Sequence, residues 1–196
     1  MAQTSTTLIS AKSHITSITG TDISLSATAG VYTISATSTV LTGAGKLAVG
    51  DLITVSGSAS NNSTFTVATV VSTTELTVSE VVTSENADGS STITFDHVGF
   101  VSDKAKGDGY YSQPDGVHTV AYQVANDFNA DATIKMQGTL ATTPTEDDWF
   151  DIANTTFTSD TSTLTSSFNF TGNYVWVRSK TQLLTAGTTN SILLNS

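Results

Sequence analysis

The stretch Gly43 to Glu80, GAGKLAVGDLITVSGSASNNSTFTVATVVSTTELTVSE, decides how this chain is read. Within it Leu52-Ile53-Thr54-Val55, Phe65-Thr66-Val67-Ala68-Thr69-Val70-Val71 and Leu76-Thr77-Val78 alternate or nearly alternate apolar and hydroxyl residues. That period of two puts successive side chains on opposite faces of a strand. Ser56 to Ser63 separates the first two runs and Ser72-Thr73-Thr74-Glu75 the last two, both rich in turn formers. The stretch therefore predicts three consecutive antiparallel strands. Ahead of them Val49-Gly50-Asp51 predicts a tight turn, with Gly50 at positive φ and Asp51 bonding back to the backbone. Nothing in it has the pattern of a nucleophile, a phosphate cradle or a metal cage.

Toward the N-terminus the pattern continues more weakly. Ile23, Leu25 and Ala27 form a period-two run after the turn Thr19 to Asp22, and Val31 to Ala36 follows a second turn at Thr28-Ala29-Gly30. In residues 1–19 only Leu8, Ile9, Ile15 and Ile18 recur as apolar positions among hydroxyls. Such a segment is either an edge strand of the first domain or an arm that pairs with a neighbouring subunit. After Glu80, the polar segment Thr83 to Ser90 reads as a hairpin loop that returns through Thr92 to Phe95.

Composition agrees with sheet. Hydrophobic residues make up 38% of the 196 and charged residues 12%, with two prolines, which excludes a disordered polyelectrolyte. Ser and Thr supply about one residue in three, and β-branched Thr suits a half-exposed pleated face. The net charge of −10 is spread over both halves and no basic patch interleaved with aromatics stands out, so nucleic acid is not an expected partner. With no cysteine, disulfides and thiolate metal sites are excluded. The first twenty residues lack a basic start followed by an apolar core, and no run reaches the eighteen apolar residues of a membrane span. Export by a signal peptide and membrane insertion are not expected.

Around Asp96 to Gly109 the composition changes: Lys104 and Lys106 sit beside Asp103 and Asp108. A domain boundary is predicted between residues 97 and 109. Beyond it Gly116 to Val124, Ala132 to Gly138, Trp149 to Ile152, Leu164 to Phe170, Tyr174 to Lys180 and Ser191 to Leu194 read as six strands of a sandwich. The expected fold is all-β, with residues 1–19 as a strand or arm, 20–97 as a small barrel-like domain and 98–196 as a β-sandwich. No helix longer than two turns is expected.

Two resemblances follow from these segments. VGDLITVSG, STFTVATV and ELTVSE, within Val31 to Phe95, resemble a small β module of tailed-bacteriophage structural proteins. GDGYYSQPDGVHTVAYQV, IKMQGTLATTPTEDDWFDI and FNFTGNYVWVRSKTQLLTAGTTNSILLNS, over Gly107 to Ser196, resemble a module of marine and cyanobacterial phage virions. The resemblance implies a non-enzymatic virion protein without cofactors, a homo-oligomer such as a trimer, whose partners are other capsid or tail proteins. Head decoration is the first expectation. A tail, baseplate or fibre component that binds a host surface glycan is the alternative.

Several constellations are candidates for chemistry. Glu146-Asp147-Asp148 with Asp151, and Asp103, Asp108 and Asp115, offer oxygens to calcium, but neither has the spacing of a twelve-residue calcium loop and the first reads better as a solvated turn ahead of a buried Trp149. His14, His97 and His118 are scattered with no paired metal spacing. No Gly-x-Ser-x-Gly elbow marks a nucleophile, and nothing selects a carboxylate pair for glycoside chemistry. Tyr110, Tyr111, Tyr174 and Trp176 are the candidate ligand or interface aromatics. On a strand Tyr174 and Trp176 share one face and Val175 and Val177 the other, and one pair must point into the core.

Overall fold

A computed structural model of the chain describes residues 5–112, 116–159 and 164–195. The first strands are β1 (Ser5–Ile9), β2 (Lys12–Ser13), β3 (Ile18–Gly20), β4 (Ile23–Thr28), β5 (Val31–Ala36), β6 (Asp51–Ser56), β7 (Thr64–Ser72), β8 (Glu75–Val78) and β9 (Ile93–Val101). There follow β10 (Ala105–Lys106), β11 (Val117–Val124), β12 (Thr133–Thr139), β13 (Phe150–Asp151), β14 (Phe157–Thr158), β15 (Thr165–Thr171), β16 (Trp176–Gln182) and β17 (Thr188–Asn195). Helical structure among the described residues is confined to two 3-10 turns, Asp108–Tyr111 and Glu146–Asp148. The fold is all-β and the strand pairs are antiparallel. Among the described residues no helix is long and apolar enough to cross a membrane.

The chain divides into two units, one of Ile15–Phe100 and one joining the N-terminal residues through His14 to the segment from Val101 onward. In the first, the strand order is β3-β9-β6-β7-β8-β5-β4. The three strands expected from Gly43 to Glu80 are β6, β7 and β8. β7 pairs with β6 through Thr64 to Thr66 and with β8 from Val67 onward, where two bulges bend it. The sheet turns a corner along this strand, because a bulge adds twist and lets one strand serve two directions. Its terminal strands β3 and β4 are separated in sequence only by residues 21 and 22, so the two ends of the sheet must meet in space. The unit is a roll, barrel-like in its curl, but no ladder closes it. Inside lie Ile23, Leu25, Ile34, Ile53, Phe65, Leu76, Ile93 and Phe95, joined by Ile15 and Ile18 from the entering segment.

Polar side chains fasten the loops of this roll. Gly50 has φ of +85° and Asp51 accepts a hydrogen bond from Ala48 N–H at 2.7 Å, the turn expected from sequence. Asp22 accepts bonds from the backbone of Ser38 and Thr39 and from the hydroxyls of Thr37, Ser38 and Thr39. These donors, with Thr39 first, hold its carboxyl well below the usual carboxylate range. Glu85 is likewise lowered, first by the Ser58 hydroxyl at 2.5 Å and then by Ala59 N–H and Asn61. The buried ring of His97 accepts a bond from Ile15 N–H at Nδ1, which leaves its proton on Nε2, 3.4 Å from buried Asp51.

The second unit is a sandwich of two sheets. One has the order β1-β17-β11-β15, with β2 also on β17; the other is β13-β12-β16, with β10 on β16 and β14 on β12. Val120, Tyr122 and Val124 of β11 and Ile192 and Leu194 of β17 are buried on the inner side, as are Ile134 and Met136 of β12 and Val177 of β16. Tyr122 ties the two sheets together. Its ring packs against Phe157 and Phe168, and its hydroxyl donates to Thr155 O at 2.9 Å. Thr155 in turn accepts from Met136 N–H.

The segment 1–19 divides: Ile18–Gly20 lies on β9 as an edge strand of the first unit, whereas the earlier residues pair outside that unit. Ser5 to Ile9 pair with Asn195 to Ile192, and Lys12 and Ser13 with Thr189 and Thr188. This strand lies on the C-terminal strand of its own chain, and only from Ile15 does the chain belong to the first unit. Alternation alone cannot tell these edges apart, because each accepts a short strand with one apolar face.

Candidate binding face

The outer face of the sheet β10-β16-β12-β13 gathers side chains that lie far apart in sequence. Alternation along β16 sends Val177, Ser179 and Thr181 inward and Trp176, Arg178 and Lys180 outward. The register then sets their neighbours: Lys106 lies opposite Trp176, Gln137 opposite Arg178 and Asp151, and Lys135 opposite Lys180. Lys104 and Lys106, two apart on a short extended segment, flank Trp176 from one edge. Five of the seven basic residues of an acidic chain thus share one sheet face.

These cations rest on aromatic rings. Lys104 Nζ stands 4.5 Å from the centre of the Trp176 ring and Lys106 Nζ 4.2 Å from that of Tyr110. Tyr110 packs on Trp176 at 4.8 Å, and Tyr111 meets Tyr110 edge-on at 5.2 Å. Trp176 Nε1 donates to Thr142 O at 3.0 Å, which fixes the indole. Arg178 stacks on Trp149 at 4.2 Å and makes a two-pronged bond to Glu146 at 2.9 and 2.7 Å. Its Nε donates to Gln137 Oε1. Asp151 takes Lys135 at 2.5 Å and Gln137 Nε2 at 2.9 Å. Among the described residues Lys104, Lys106 and Lys180 have no ion-pair partner. Burial first, and then the charges of Arg178 and Lys135, push the Lys180 ammonium down.

The loop bearing Tyr110 and Tyr111 is pinned from behind. Gly109 N–H donates to Tyr174 O at 2.8 Å and Gly107 N–H to Val175 O at 3.0 Å. Asp108, first residue of the 3-10 turn, accepts from Gly116 N–H and lies 3.3 Å from His118 Nε2. His118 is stacked on Phe170. Gly107 and Gly109 have no room for a Cβ beside the Tyr174 backbone.

Of the four aromatics singled out from sequence, three come together and one does not. Tyr110 and Tyr111 are 43% and 56% exposed, and Trp176 is half-buried beside them. Tyr174 precedes the strand, and its ring occupies the space where Gly138 and Gly172 would carry a Cβ, near Phe150 and Phe170. Gly138 pairs with Val177 on the inner face, so Tyr174 and Trp176 lie on opposite sides of the sheet. The shared-face expectation fails because residues 172–175 leave the strand before the period-two rule applies.

The acidic clusters have structural partners. Glu146 holds Arg178, Asp148 accepts from the backbone and hydroxyl of Thr145, and Asp151 holds Lys135. Trp149 is half-buried on Arg178 and not in the core. Asp115 lies outside the described residues. Among the described residues no group of three or more His, Asp or Glu is arranged to hold a metal ion. Arg178, Lys135, Lys180 and Gln137 were not singled out from sequence, although Trp176-x-Arg178-x-Lys180 and Lys135-x-Gln137 carry the alternation that puts them outside. No protein-family model matches the chain, and no curated protein matches its sequence.

Proposed function

We propose that this chain is a non-catalytic structural protein of a tailed-phage virion and that it works by binding. The observation that carries the binding role is the outer face of β10-β16-β12-β13, where exposed tyrosines, a fixed tryptophan and three ammoniums without an ion-pair partner among the described residues are concentrated on a chain of net charge −10. Aromatic residues and arginine are enriched at recognition surfaces, where a rigid ring gives contact area at small entropic cost. The virion assignment is supported by the resemblance of Gly107 to Ser196, whose three segments contribute β11, β12, β13, β15, β16 and β17, the body of the sandwich.

Head decoration is the first location, as a homo-oligomer that follows the symmetry of its lattice. The aromatic and cationic face favours a second reading, a tail or baseplate component that engages a host surface glycan. Immunogold labelling of purified virions separates the two. Gold over the head supports decoration, gold at the tail supports attachment, and no gold on intact or opened particles overturns the virion assignment.

A further inference from the structure

We infer that the row Tyr111–Trp176–Lys180 on this face is a binding site for a short carboxylate-bearing oligosaccharide. The inference rests on the binding role proposed above and names the class of ligand. The juxtaposition is two cationic poles with aromatic and hydrogen-bonding groups between and beside them. Lys104 and Lys106 form one pole around Trp176 and Tyr110. Lys135 and Lys180, directly opposite each other on β12 and β16, form the second. Four residues of extended chain set the poles about 13 Å apart.

Like charges placed directly opposite on a ladder repel. Here only Lys135 has a carboxylate, Asp151, and the half-buried ammonium of Lys180 has no ion-pair partner among the described residues. An anion seated on β16 between the two lysines would relieve that repulsion. Beside the poles the half-exposed Asp151 carboxylate can accept from hydroxyl groups, while buried Gln137 is committed to Asp151 and Arg178, and Arg178 to Glu146 and Gln137. Tyr111, the most open ring, gives an apolar surface at one end.

An acidic sugar chain presents what this row takes: an apolar C–H face, hydroxyls, and carboxylates spaced by whole sugar rings. A nucleic acid carries its phosphates along a length far beyond this row and meets the field of a chain of net charge −10, whereas a three-ring acidic sugar sets its few carboxylates on the lysines alone. An acidic protein needs about 800 Å² on each partner for a stable interface, and this row is one strand pair wide.

The test is titration of the full chain with trigalacturonate and with disialyllactose, read by tryptophan fluorescence and calorimetry, against neutral galactotriose and triglutamate. The expected result is that at least one acidic sugar binds tenfold or more tighter than both controls, and weakens as salt is raised. Lys135→Gln with Lys180→Gln, and separately Lys104→Gln with Lys106→Gln, each weaken it on the order of tenfold, with unchanged thermal melts as the control for folding. Tyr111→Ser weakens it independently of salt. Binding of neither acidic sugar, equal binding of triglutamate, or affinity indifferent to all four lysines overturns the inference. Loading of the same variants onto particles that lack the protein is measured in parallel. Normal loading by a wild-type chain that binds no sugar overturns only the choice of ligand.

Discussion

At the scale of single residues, the two units each contain a charge that is out of water and therefore depends on its partner. Arg178 is buried to within 6% of full enclosure, and its charge is met by Glu146, Gln137 and the Trp149 ring. Arg178→Ala leaves the Glu146 carboxylate and the Gln137 carbonyl without their donor and opens the space under Trp149. Loss of one partner from an enclosed pair costs more than the pair contributes. We expect a fall of about 2–3 kcal/mol in urea unfolding, with a changed Trp149 emission. Arg178→Lys recovers little, because an ammonium cannot make the two-pronged bond. In the first unit His97→Leu faces the fully enclosed carboxylate of Asp51 with hydrocarbon and removes the acceptor of Ile15 N–H. The expected loss is about 3 kcal/mol. His97→Gln, which keeps a donor and an acceptor, should lose less, and an equal loss in both would show that ring packing against Phe100 is what matters.

At the scale of elements, the strands were legible and their partners were not. Period-two runs located β6, β7, β8, β11, β12, β16 and β17, since one face of each is buried and the other polar. The pairing of β1 with β17 and the inward turn of Tyr174 were not legible, because they depend on register and on where a strand stops. The candidate site suffered the same limit. Its aromatics could be listed, but Arg178, Lys180 and Lys135 become one surface only once β12 and β16 are aligned. The connections depend on carboxylates, and this makes the roll sensitive to acid. Asp22 and Glu85 titrate below their ordinary value of about 4 in the folded state. A depressed folded value means that the contribution is complete above the unfolded value and is lost as pH falls through the folded one. Amide exchange at Ile34 and Leu76, in the strands held by these loops, should therefore accelerate as pH drops below about 4, after correction for intrinsic exchange. Asp22→Asn with Glu85→Gln should remove most of that dependence and raise exchange at neutral pH. An unchanged profile in the double variant would assign the acid sensitivity elsewhere.

At the scale of the whole molecule, the chain begins in the unit in which it ends. Ser5–Ile9 and Lys12–Ser13 pair with β17, the 86 residues from Ile15 build the roll, and the rest returns to complete the sandwich. The sandwich is therefore discontinuous in sequence, and its edge at β17 is closed by the earliest strand of the chain. An open edge beside a buried strand presents unpaired N–H and C=O groups and invites pairing with another copy. Removing residues 1–13 should uncover that edge while leaving the core of the roll, which starts at Ile15, with its own residues. Both tryptophans, Trp149 and Trp176, belong to the sandwich, so their fluorescence follows that unit. We expect the truncated chain to show a lower tryptophan-detected unfolding midpoint and faster amide exchange at Leu193 and Leu194. Exchange at Ile34 and Leu76 should stay as in the full chain. Self-association should rise with concentration, and a synthetic peptide of residues 1–14 added in trans should suppress it by occupying β17. If the truncated chain keeps its midpoint and remains monomeric, β1 contributes no more than an ornamental edge, and the sandwich is held by Tyr122 and the facing sheets alone.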